Sequence, residues 1–144
     1  MATFTKITDF TFMCGKGYYS FSTHNFKMAL TDTAPSASDT VYLPGSLHPV
    51  PANANGYTPG GYMLTKTWSI TNSVSRLIAS VNIVVTATTG GIGPFRYVIL
   101  YDDSMVAPIV DGLVGFMDYG SSISLAVNET FTIDVTSAPV LTMG

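Results

Sequence analysis

"FRYVILYDDS", Phe95 to Ser104, is the stretch on which the fold turns. Successive side chains of a strand point to opposite faces. Val98, Ile99 and Leu100 are therefore apolar on both faces, which is the pattern of a central strand covered from both sides. The stretch ends in two adjacent carboxylates, Asp102 and Asp103. A glycosidase needs two carboxylates roughly 5–9 Å apart across one substrate, and neighbours on a strand face away from each other. A calcium site built from this pair and loop carbonyls lacks the ligand-rich twelve-residue loop. "YDDS" reads instead as a strand exit, with side-chain oxygens satisfying backbone donors in an Asx-type turn.

Working outward, period-2 alternation recurs. "NFKMALTD" turns Phe26, Met28 and Leu30 inward, and "ETFTIDVT" does the same with Phe131, Ile133 and Val135. "SVNIVVTA" puts Val81, Ile83 and Val85 on one face. "YMLTKTWSIT" reads as one strand with Leu64, Lys66, Trp68 and Ile70 on one side. "LVGFMDYG" and "SISLAV" read as two further strands separated by a break at "DYGSS". "TTGGIGP", Thr88 to Pro94, is a turn rich in residues that accept positive φ or preset a bend. Many short strands without intervening helices predict an all-β fold of one domain over residues 1–144: an antiparallel β-sandwich, jelly-roll-like or immunoglobulin-like.

Two regions depart from the alternation. The N-terminal "ITDFTFMCGKGYYSF" has no clean period and is expected to be irregular. Thr8 is positioned to cap a short helix there, which Gly15 and Gly17 would stop. Thr33 to Gly61 holds five of the eight prolines (Pro35, Pro44, Pro49, Pro51 and Pro59) and no strand beyond a fragment at Thr40–Leu43. Loops longer than about 12–15 residues are uncommon in compact domains, and this one is too apolar for a disordered linker. It is either an arm that packs on a partner or a loop that packs across its own domain.

Composition narrows the function. Of 144 residues 47% are hydrophobic and only 10% charged, against roughly 25% charged in ordinary domains; so uncharged a surface suits burial by partners. The net charge of −3 and six scattered basic residues argue against nucleic acid. No apolar run approaches the roughly 18 residues of a membrane span. "MATFTKITDF" lacks the pattern of a secretory signal, so synthesis in a cytoplasm is expected. No Cys/His cluster has zinc spacing, no nucleophile elbow occurs, and the glycines of "TTGGIGPF" lack the Lys-Ser/Thr of a phosphate loop. Catalytic residues, cofactor sites and metal sites are all expected to be none. The tyrosines, with Trp68, offer an alternative use as a sugar-stacking face of a carbohydrate-binding module.

"NFKMALTDTAP", "NGYTPGG", "GGIGPFRYVILYDD" and "DYGSSISLAVNETFTIDV" follow one another in an order that resembles a family of small virion structural proteins of tailed bacteriophages. The resemblance spans nearly the whole chain. Relatives tend to carry a charged N-terminal helix and paired tryptophans before the Asp-Tyr-Gly, where this chain has an aromatic, Gly-rich segment and Phe116–Met117. The resemblance implies a non-enzymatic capsid decoration (cement) protein on the capsid surface of a virion, bound to the major capsid protein and to itself as a homotrimer. A tail or baseplate component is the alternative in the same class. Contacts are expected from the N-terminal segment, through Phe10, Phe12, Tyr18 and Tyr19, and from the long arm, through Val41, Tyr42, Leu43, Leu47, Val50 and Tyr57.

Overall fold

A computed structural model describes residues 2–143. Phe95–Ser104 lies largely in β8 (Ile92–Asp102), which is the spine of the molecule. β8 pairs antiparallel with β9 (Gly112–Leu125) on one side and with β2 (Phe26–Thr31) on the other. Val98 to Asp102 are all buried, as an interior strand apolar on both faces requires. The sheet is completed by β1 (Phe4–Lys6) outside β9, β4 (Tyr62–Met63) outside β2, and β3 (Asn53–Ala54) against the start of β8.

Two smaller antiparallel sheets pack around the same core. β5 (Lys66–Thr71), β6 (Val74–Ala79) and β11 (Leu141–Met143) form one; β7 (Ile83–Thr86) and β10 (Thr130–Ile133) form the other. The buried apolar side chains of all three sheets form one contiguous cluster, running from Phe10 and Phe26 through Phe95 to Val135 and Leu141. The fold is all-β and sandwich-like.

Three expectations change on contact with tertiary structure. "YMLTKTWSIT" is not one strand: buried Leu64, whose N–H donates to Phe26, sits where the chain leaves β4 in the large sheet for β5 in the small one. The break at "DYGSS" is absorbed as a bulge inside the continuous strand β9. Tyr97 faces Asp118 and Phe95 faces Ile123, so β9 places four intervening residues against one. Gly120 takes φ +87° there. Asp118 accepts the Gly120 N–H at 2.8 Å and a two-pronged contact from Arg96 at 2.7 and 2.9 Å. Tyr119 is thereby aimed at Phe131, with ring centroids 5.0 Å apart. Val81, finally, is exposed in the turn before β7, while Ile83 and Val85 are buried as expected.

The N-terminal segment is more ordered than its sequence suggests. β1 pairs with β9, and α1 (Phe10–Gly15) follows. Asp9, not Thr8, holds the N-cap position, without a side-chain hydrogen bond; the helix ends at Gly15. Phe10 and Met13 face the core.

The long arm packs across its own domain. Val41 bridges Gly112, and β3 pairs with Ile92 and Gly93. Asn55 bonds Gly91 through its backbone N–H and through Nδ2, and its carbonyl accepts the Thr88 N–H. The Tyr57 hydroxyl accepts the Leu30 N–H at 2.9 Å, standing where a neighbouring strand would otherwise bond β2. Gly61, at φ +86°, crosses directly over the Met28 backbone, where a side chain would collide.

Candidate functional site

The carboxylate pair divides as alternation demands. Asp102 is fully buried; Asp103 points out and pairs with Lys27 at 3.1 Å. Asp102 Oδ1 accepts the Ser104 N–H at 2.9 Å, which is the expected Asx-type turn. Its Oδ2 lies 2.6 Å from Nδ1 of His24, a contact across 78 residues that no local pattern announces. Ser104 Oγ accepts the Asn25 N–H, and the Asp103 N–H donates to the Asn25 carbonyl. The entry to β2 and the exit from β8 are thus clamped together. Burial raises the Asp102 pKa, opposed by the hydrogen bonds from His24 and from the Ser104 and Met105 amides. Lys66, whose Nζ donates to the Phe21 carbonyl at 2.6 Å, has its pKa lowered by burial and partly restored by Asp102.

A histidine held by a carboxylate is one half of a nucleophile-activating device. Among the described residues no hydroxyl or thiol hydrogen-bonds to the His24 ring. The nearby Ser20 and Thr23 hydroxyls bond each other at 2.6 Å. Burial pushes the Cys14 thiol up to about 11, so it is protonated near neutral pH. No group of three or more His, Cys, Asp or Glu side chains among the described residues is arranged to hold a metal ion. No described helix is long and apolar enough to cross a membrane.

A second His–Asp pair lies in the arm. His48 is fully buried; its Nε2 is 3.1 Å from Asp39 Oδ2, and its Nδ1 accepts the Leu43 N–H at 3.1 Å. That geometry assigns the Nε2–H tautomer. The ring stacks on Tyr42, which stacks on Tyr101 at 4.3 Å between centroids. Burial lifts the Tyr42 hydroxyl to about 12, and that buried hydroxyl has no hydrogen-bond partner among the described residues.

The expected contact residues therefore separate. Phe10, Tyr19, Tyr42 and Tyr57 are buried in the protein's own core and have no surface to offer, a correction to their expected role. Phe10 packs among Tyr19 and Phe21, and the Tyr19 hydroxyl donates to the Leu113 carbonyl. Tyr18, Val41 and Val50 are half-buried; Phe12, Leu43 and Leu47 are exposed. Sequence reasoning missed Val106 and Val110, which project from the β8–β9 connection. The signal was present in "SMVAPIV", seven residues without a charge in a segment that should face water.

Comparison of the chain with family models, with curated proteins and with solved structures returned no match.

Proposed function

We propose that this chain is a non-enzymatic structural protein of a tailed-phage virion, a capsid decoration protein that binds at junctions between major capsid protein subunits and stabilises the head. The observation that carries the reading is where the resembling blocks fall. "GPFRYVILYDD" and "DYGSSISL" fold onto each other as β8 and β9, so the family-like residues form the scaffold and not a pocket. The two His–Asp pairs join backbone segments, as structural clamps do. Exposed aliphatic side chains on loops supply low-charge contact area, and many such contacts repeated over a lattice add up to firm attachment.

Reconstruction of purified virions tests the proposal. Density for this fold in many copies over the head is the expected result; a few copies at the tail move it to the tail or baseplate, and absence from the particle overturns it. A carbohydrate-binding role would rest on the half-buried Tyr18, Tyr62, Trp68, Tyr97 and Tyr119, since Tyr19, Tyr57 and Tyr101 are buried. A glycan array is expected to give no specific binding.

A further inference from the structure

The flank of β9 away from β8 carries two exposed features that complement each other. At its start the arm runs beside β9, with Val41 opposite Gly112 and the Tyr42 N–H bonded to the Asp111 carbonyl. The pairing stops there, because Asp111 takes φ +52° and turns the chain out of the strand; Leu43 and Val110 follow on the two diverging segments. Both side chains are exposed, at 41% and 56%, and Val106 in the same connection is 76% exposed. Leu47 sits in the turn that folds back on Leu43. Neither Thr40–Leu47 nor Ser104–Val110 contains a charged residue. The knob is rigidly backed: Tyr42 is stacked beneath it, and Met105 is buried against Gly112. At its base stands Asp111, whose carboxylate makes no hydrogen bond or ion pair among the described residues.

Further along the same flank, β1 and β11 leave a cleft of about 150 Å³ between them, lined by Phe4, Lys6, Pro139, Val140, Leu141 and Thr142. A cavity of that size takes a benzene-sized group, hence one branched aliphatic side chain. Its single charge, the Lys6 ammonium, also makes no ion pair or hydrogen bond among the described residues. The molecule thus carries an aliphatic projection beside an unpaired acid, and a side-chain-sized recess beside an unpaired base.

We propose that a second copy of this chain docks knob to cleft, with Val110 entering the recess and Asp111 meeting Lys6. Charge complementarity selects this occupant over a lipid surface: the knob has no basic group, and Asp111 is repelled by anionic headgroups. The contact concerns the protein free in solution, so it stands or falls apart from the virion reading. Knob and cleft are different surfaces, so the same contact closes either a reciprocal pair or a ring.

Sedimentation velocity and native mass spectrometry on the full chain are the tests. Association is expected, weakened by about tenfold or more in Val110→Asp and in Lys6→Glu, with thermal unfolding unchanged because both residues are exposed. In a Cys14→Ser background, Val110→Cys mixed with Thr142→Cys is expected to oxidise to the mixed disulfide faster than either variant pairs with itself. A wild-type chain that stays monomeric up to about 0.5 mM overturns the proposal, whether or not it binds phosphatidylcholine vesicles. So does association that both charge variants leave intact, or a preference for the knob-to-knob disulfide.

Discussion

The two His–Asp pairs use the same groups with burial reversed. At the end of β8 the carboxylate is fully buried and the imidazole is part exposed; in the arm the imidazole is fully buried and the carboxylate keeps some exposure. The first clamp joins two strands that already share a ladder of hydrogen bonds. The second organises a turn that has almost no ladder of its own, supplying an acceptor for Leu43 and a ring for Tyr42 to stack on. The difference teaches that a side chain matters most where backbone pairing is sparse.

The variant with the largest expected effect is His48→Ala. It leaves a ring-sized void and an orphaned Leu43 N–H, and should cost about 3–4 kcal/mol in denaturant unfolding. A loss under 1 kcal/mol would break the contrast. His24→Ala should cost about 2–3 kcal/mol, because Asp102 stays buried without its partner, although the ladder around it survives.

Tyr57→Phe should cost about 1–2 kcal/mol, since it strips the Leu30 N–H of its acceptor. Asp102 also gives a pH signature. Its folded pKa is raised above the ordinary carboxylate value of 3.8, so its contribution to stability is fully present below 3.8 and is lost as pH rises through the folded pKa. Relative to Asp102→Asn, the wild-type protein should therefore lose stability as pH climbs from about 4 through that raised pKa. Melting temperatures of the two proteins measured in parallel check this; a flat difference or one of opposite slope contradicts it. The smallest effect is expected from Tyr42→Phe, neutral or slightly stabilising, because its hydroxyl makes no hydrogen bond among the described residues. Comparison with Tyr57→Phe on one denaturation series separates the two tyrosines.

What could be read from the sequence tracks how local its causes are. β8 was legible because burial on both faces is written into consecutive residues, and the Asx turn because Asp102 and Ser104 are two apart. β2, β7 and β10 were legible from alternation. The unity of β9 was not: its bulge depends on Arg96 reaching Asp118, twenty-two residues away. The sequence leaves the path of the arm open between a partner and its own domain, because it is fixed by Asn55 on Gly91, Tyr57 on Leu30 and Gly61 on Met28, none of which is a neighbour in sequence. Among contact candidates, membership of the N-terminal segment or the long arm admits Phe10, Tyr19, Tyr42 and Tyr57, which are buried in the core. Burial of an aromatic ring outweighs its availability, and aliphatic Val106 and Val110 were left outside.

The crossing of Gly61 over Met28 also orders the events of folding. β8 and β9 are joined by a short connection and can meet with little loop-closure entropy. The arm has nothing to cross until β2 has settled against them, since its anchors are backbone atoms of strands already laid down. Its contacts to Leu30 and Gly91 span 27 and 36 residues, against 10 between Asp102 and Gly112 at the β8–β9 turn, which gives that turn the earlier place in assembly. A refolding chain pulsed with protease should be cut first between Thr33 and Gly61, at a time when amides of β8 and β9 already resist exchange.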